Sequence, residues 1–330
     1  MAKSIVSKRG CCDRALWALL TAFGMSATTC AAEVQPVRVD GNGRLTYERD
    51  ASGDAIPDFS HCGYEAGDTE IPTVPSRIVV TPVDGDDGGR IQAAIDWLAK
   101  QPAGRDGFRG AILLAAGQFE VAGQLVITDS GIVLRGSGAG EGGTTIKATG
   151  IDRRPLLRIS GRNDAKTDEQ KYRIVDQRVP VGESTLQLDS VAGLNVGDRV
   201  FVTRPSTSEW IKAIGADAFG VGWRPGTRDI RWDRRVTSID GRAIALNAPI
   251  TTAIEASFGG AIVERYKWPG RISHIGIEDL KLESEFDRNQ AQDEEHVHVT
   301  HRCLLSNYWL SSIIGAARAS IEFGLSPVTG

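Results

Sequence analysis

Between Gly85 and Gly138 the chain switches from one hydrophobic period to another. Ile91, Ala94, Ile95 and Leu98 recur at helical spacing behind an acidic and glycine turn, and they predict a short amphipathic helix. After a polar loop at 101–110 come four short apolar runs, at 111–114, 119–121, 125–127 and 132–134. Glycine or a polar turn separates each run from the next, which predicts strands and leaves no length for a helix between them. Strands this closely spaced either pair with a hairpin neighbour or turn a corner and stack on the next coil of a solenoid.

The pattern continues with strands around 145–147 and 156–159, and a polar stretch at 161–170 reads as a surface linker. Beyond it, 172–180, 185–188, 199–202, 235–239 and 243–246 read as antiparallel strands, with Asp240-Gly241 as a hairpin turn. At Arg271 the coil pattern returns. Ile275, Ile277, Leu280 and Leu282 alternate inward in two pairs, leaving Asp279, Glu283, Glu285 and Asp287 outward, beside a groove or as solubilising charges. After residue 288 the apolar alternation and its glycine turns are lost.

The run GDDGGRIQAAID, followed by GAILLAAGQFEV, LVI and GIVLRGSG, resembles the opening of the pectate lyase superfamily. That resemblance implies an all-β fold: a right-handed parallel β-helix with an N-terminal capping helix. A cap has a physical task, because an uncovered first coil exposes both apolar core and unpaired strand edges. The phrase LDSVAGLNVGDRVFVTRPS resembles the compact β-barrel-like insertion of some β-helix carbohydrate enzymes. IPDFSHCGY, at 56–64, resembles a lead-in segment of secreted relatives, which implies that Phe59 and Tyr64 are buried anchors. The expected organisation is a signal peptide at 1–32, an irregular lead-in at 33–82, the capping helix and first coils at 83–160, a β-rich insertion at 171–268, a return to the β-helix at 269–288 and an atypical tail at 289–330. The tail reads as out of register with the family, as after a frameshift or premature stop, so that the chain is a C-terminally truncated form.

Composition narrows the partners. The 330 residues, 41% hydrophobic, suffice for a large core, and 38 glycines suit a fold with many left-handed turns. A formal charge of −4 with Lys and Arg scattered argues against a nucleic-acid binder. Lys3, Lys8, Arg9 and Arg14 precede an apolar run at 15–25 and small residues to Ala32, the pattern of an export signal too short for a stable membrane span. A secreted or periplasmic product is expected. Of five cysteines, only Cys62 and Cys303 lie outside this region, and they set no disulfide framework.

Three motifs fall short of the chemistry they suggest. The glycine-rich 136–143 lacks the Lys-Ser/Thr pair and following helix of a phosphate loop. Asp50, Asp54 and Asp58 are spaced too widely for a calcium loop. His296, His298, His301 and Cys303 lack an identifiable carboxylate shell, so no metal and no cofactor is assigned.

The candidate binding residues are Trp210, Trp223, Arg231, Trp232, Asp233 and Arg234, within a cluster that also holds Arg224, Arg228 and Arg235. Indole faces stack on the apolar C–H groups of sugar rings, and guanidinium forks match a uronate carboxylate. The alternative for each is insert core for the tryptophans and surface ion pairing for the arginines. The expected partner is therefore an acidic polysaccharide. The resemblance implies cleavage by β-elimination, in which a cation neutralises the carboxylate and a base takes the acidified proton. The alternatives are a glycoside hydrolase of the polygalacturonase or rhamnogalacturonase type with paired carboxylates, and a non-catalytic carbohydrate-binding module or inactive fragment. No catalytic pair is assignable by motif.

Overall fold

A computed structural model describes residues 36–57, 64, 69–150 and 154–286, together with the backbone of 305–308, 313–315 and 322–327. Residues 1–32, expected as an export signal, and Asp58, Phe59, Cys62, Asp287, the three C-terminal histidines and Cys303 lie outside the described residues. A hairpin of β1 (Val37–Val39) and β2 (Leu45–Tyr47) comes first, then β3 (Ser76–Val80) and α1 (Gly88–Ala99). The helix buries Ile91, Ala94, Ile95 and Leu98, the four positions its periodicity marks.

From there the chain lays strands on three parallel sheets in rotation. The first coil is β4 (Gly110–Leu114), β5 (Gly117–Val121) and β6 (Leu125–Ile127); the second is β7 (Ile132–Arg135), β8 (Thr144–Ala148) and β9 (Leu157–Ser160). Eight strands of an insertion follow: β10 (Lys166–Arg173), β11 (Arg178–Val179), β12 (Thr185–Gln187), β13 (Arg199–Arg204), β14 (Ile230–Asp240), β15 (Ala243–Leu246), β16 (Ile254–Glu255) and β17 (Ile262–Lys267). A six-residue helix, α2 (Ser208–Ala213), lies between β13 and β14. The coils then resume with β18 (Ile275–Glu278), β19 (Lys281–Phe286) and β20 (Leu305–Tyr308), and with β21 (Ile313–Gly315) and β22 (Glu322–Pro327).

The sheets run β3-β4-β7-β18-β21, β5-β8-β19-β22 and β6-β9-β20, every pairing parallel. Register stacks like on like. Ile112, Leu134 and Ile277 form one fully buried column, and Phe119, Ile146 and Leu282 form another. Such columns are what short alternating strands produce when coils superimpose. At the corner between β18 and β19, Asp279 is left-handed at φ 57° and its carbonyl accepts the Gly138 N–H at 2.8 Å. A Cβ on Gly136 would collide with that carbonyl, which explains the glycine.

The acidic turn and α1 close the open end of the coils through hydrogen bonds as well as apolar cover. The Asp87 N–H donates to the Glu120 carbonyl at 2.7 Å, and Asp86 Oδ1 accepts from the Ala122 N–H, so the edge of β5 is occupied. Gln92 does the same for β6, bonding both the N–H and the carbonyl of Val126. Edges closed in this way cannot recruit another chain.

The insertion is an antiparallel sheet ordered β10-β17-β13-β14-β15-β12, with β11 and β16 paired separately. Its outer edges meet at the Ile174–Leu188 bridge, where the Val175 N–H donates to the Gln187 carbonyl and the Asp189 N–H to the Arg173 carbonyl, so the sheet curls around its core. Val200, Val202, Trp232, Val236, Ile244 and Val263 fill that core. Two details differ from expectation. The stretch expected as a linker contributes 166–170 of the eight-residue β10, which thus begins before the strand expected from Tyr172, its single buried residue. And β14 runs eleven residues, starting at Ile230, so it includes the whole of 231–235.

The lead-in is tied to both parts. Tyr64 packs against the Val74, Phe108, Ala111 and Val133 cluster. Asp54 grips Arg178 with both oxygens, at 2.9 and 2.7 Å, and accepts the Val181 N–H. The stretch weighed as a calcium loop thus engages an arginine of the insertion. The tail strands β20, β21 and β22 extend the three sheets, since a parallel ladder is satisfied by backbone groups irrespective of side-chain pattern.

Candidate functional site

The sequence cluster divides between the two faces of β14, because successive side chains on a strand point to opposite sides. Trp232 faces inward and is 6% exposed, with its Nε1 donating to Thr251 Oγ1 at 2.9 Å. Arg234 is on the same side and donates to the carbonyls of Ala248, Pro249 and Asp233. Burial lowers its pKa, yet three carbonyls hold its N–H groups. Trp232 thus packs within the core of the insertion, and the half-buried Arg234 ties its strand to the 248–249 turn.

Arg231 and Asp233 are on the opposite face. There Phe201 and Tyr266 stack in parallel, with centroids 3.9 Å apart, and Arg231 lies over Phe201. Asp233 accepts from the Tyr266 hydroxyl at 2.5 Å and from Arg271, whose guanidinium lies over Trp268 at 4.3 Å. Burial first, and the Asp233 hydrogen bond second, push the Tyr266 phenol pKa up. Trp268 Nε1 donates to the Arg162 carbonyl at 2.7 Å, and Gly270 N–H to Asp164. This aromatic and ionic layer covers the face where the insertion joins the coils.

Trp210 and Trp223 come together elsewhere, on the excursion 205–229 between β13 and β14. Their rings are 6.1 Å apart and inclined at 38°, and both are half-buried. Thr207 caps α2 by accepting the Trp210 N–H, and the Trp223 N–H bonds the Ala216 carbonyl. The base of the excursion is fastened by Ser206, whose N–H and hydroxyl both donate to Asp229 at 2.8 Å. Its tip carries the exposed apolar side chains Ile214, Phe219 and Val221.

Two guanidinium groups attend these indoles. Arg228 lies over Trp223 at 5.4 Å, and Arg204 lies over Trp210 at 4.3 Å. Arg204 is absent from the sequence cluster, yet it stands beside Trp210. It is 3% exposed, and its Nε and Nη1 have no hydrogen-bond partner among the described residues. Desolvation lowers its pKa, partly countered by the charge of Glu255. The signal was present in VFVTR, where alternation from Val200 and Val202 sends Arg204 inward. A buried charge without a partner is costly by several kcal/mol.

A second feature lies on the outside of the β5-β8-β19-β22 sheet. Gly117, Thr145 and Lys281 stand on three successive coils, and the loop 139–143 walls a hollow of about 470 Å³ beside them. Two of the outward carboxylates are engaged: Glu283 pairs with Lys281 and Glu285 with Lys147, both at 2.8 Å. Among the described residues no group of three or more His, Cys, Asp or Glu is placed to hold a metal, and no helix is long and apolar enough to cross a membrane.

No protein-family model and no curated protein matches the chain. Solved structures similar to it include three phage tailspikes. The tailspike gp61 of Pseudomonas phage phi297 has a TM-score of 0.35 at 14% identity, over 69% of this chain and 29% of that one. Gp54 of Acinetobacter baumannii bacteriophage AP22, solved in complex with A. baumannii capsular saccharide, has a TM-score of 0.34 at 9% identity, over 73% and 34%. The tailspike gp49 of Pseudomonas phage LKA1 has a TM-score of 0.30 at 18% identity, over 60% and 29%. The chain thus matches about a third or less of the length of each.

Proposed function

We propose that this chain is an exported, right-handed parallel β-helix protein of the pectate lyase type that binds an acidic polysaccharide through the excursion on its insertion. The observation that carries this reading is the pair of half-buried indoles, Trp210 and Trp223, each with a guanidinium over one face. Stacked aromatic faces take sugar rings, and guanidinium groups take the carboxylates those rings bear. The basic and apolar pattern of 1–32 supports export.

Binding is favoured over turnover by the state of the candidate catalytic groups. Tyr266 is kept protonated by burial and by Asp233, so it makes a poor base near neutral pH. Asp233, Glu283 and Glu285 are each committed to a cation. Affinity electrophoresis of the purified protein in gels containing polygalacturonate, alginate or dextran tests the reading. Retardation by the anionic polymers and loss of it in Trp223→Ala are expected; equal mobility in every gel would refute it. Unsaturated product released on prolonged incubation would instead identify a lyase, and new reducing ends without unsaturation a hydrolase.

A further inference from the structure

We infer that Arg204 is the acid-reading residue of this surface, taking the carboxylate of one uronate ring that enters beneath the excursion and stacks beside Trp210 and Trp223. The inference rests on the acidic-polysaccharide reading and adds the group that distinguishes an acidic sugar from a neutral one.

Arg204 stands apart from the other arginines that the insertion shields from solvent. Arg234 bonds three carbonyls, Arg178 bonds Asp54 and Arg271 bonds Asp233 and Tyr266. Arg204 alone of these four makes no hydrogen bond and no ion pair to a described residue, although it is 3% exposed. Trp210 covers one face of its guanidinium, and the Nε and Nη1 edge lacks a hydrogen-bond partner among the described residues. An oxyanion approaching edge-on accepts two parallel hydrogen bonds while the indole stays stacked.

Entry requires the cover to shift, and the cover is built for that. Its base is pinned by the Ser206 and Asp229 contact and its buried apolar side chains are Ile211 and Ala216, while its helix has only six residues and its tip exposes Ile214, Phe219 and Val221. A segment with few buried apolar contacts opens at low cost relative to the core around it. A ring-borne carboxylate suits the site better than a free inorganic anion, because Trp223, 6.1 Å from Trp210, offers a second indole to the sugar.

The test uses the purified full chain and follows tryptophan fluorescence during titration with oligogalacturonate, its methyl ester, a sulfated dextran and neutral dextran. Oligogalacturonate is expected to bind at least about tenfold more tightly than its ester, in line with the loss of a charge-assisted hydrogen bond. Arg204→Gln should bind the acid about ten- to a hundredfold more weakly and cease to distinguish acid from ester. Its thermal midpoint should not fall, since an unpaired buried charge is being removed. Equal binding of acid and ester by the unsubstituted protein overturns the inference whether or not the variant folds, as does a variant that still discriminates. Preference for the sulfated polymer over the uronate overturns the assigned ligand class. Failure of every saccharide to bind overturns the underlying reading as well.

Discussion

The side-chain amide of Gln92 stands in for a strand beside Val126: its Oε1 accepts the Val126 N–H at 2.8 Å and its Nε2 donates to the Val126 carbonyl at 3.0 Å. The glutamine of the opening motif therefore supplies the missing neighbour of β6. Replacing it by leucine keeps the helix amphipathic but strands both backbone groups. Gln92→Leu is expected to lower stability by about 1–3 kcal/mol, measured as a reduced urea midpoint, with self-association rising in light scattering. An unchanged midpoint would show that the edge does not need the amide.

The corner at Asp279 predicts contrasting effects for two glycines in one loop. A Cβ on Gly136 meets the Asp279 carbonyl and comes within 2.7 Å of Leu280 Cβ, whereas one on Gly140 meets nothing within 4 Å. Gly136→Ala should destabilise by about 1–3 kcal/mol or more, and Gly140→Ala should stay within about 0.5 kcal/mol. Thermal unfolding of the two variants in parallel checks the difference; similar midpoints would contradict the described corner.

Two tryptophans nine positions apart should behave as opposites. Trp232 is packed inside the insertion, so Trp232→Ala is expected to cost about 3–5 kcal/mol and to broaden the insertion's amide spectrum. Trp223→Ala should leave the fold intact while removing polysaccharide retardation. The reverse pairing would exchange the roles of the two residues.

Acid should loosen the lead-in first where Asp54 holds it. The Arg178 hydrogen bond, with smaller help from the Val181 N–H, outweighs burial and keeps the Asp54 pKa below the ordinary carboxylate value. A lowered folded pKa means that the contribution is fully present above the unfolded value and disappears as pH falls through the folded one. The stability difference between the unsubstituted protein and Asp54→Asn should therefore be constant near neutrality and vanish at strongly acidic pH. Denaturant titrations across that range decide it, and a difference that persists in strong acid would rule out the ionised pair.

The coils were legible because each short strand carries its own inward alternation and its own glycine or polar turn, as at Phe119, Ile146 and Leu282. The helix was legible for the same reason at a different period. The strand β10 was legible only at its end, since a mostly exposed edge needs no apolar face and only Tyr172 marks it. The candidate site was legible as a composition and illegible as a geometry. Trp210 and Trp223 meet through the Ala216 carbonyl and a capped helix, which no spacing announces, and residues 231–235 separate because they form one strand. Arg204 needed only the alternation of VFVTR to be noticed, but its lack of a partner is a fact of the folded chain.

Arg135 and Glu278, adjacent on neighbouring coils at 2.5 Å, are 143 positions apart in the chain. The second and third coils thus meet across the whole insertion, and the loop entropy of that meeting falls if the insertion has already contracted and brought β10 and β17 together. This makes the insertion an early step in acquiring the native state and the later coils a late one. In pulse-labelled hydrogen exchange, amides of β13 and β14 are expected to gain protection before those of β18; the opposite order would mean that the coils assemble around an unfolded insertion.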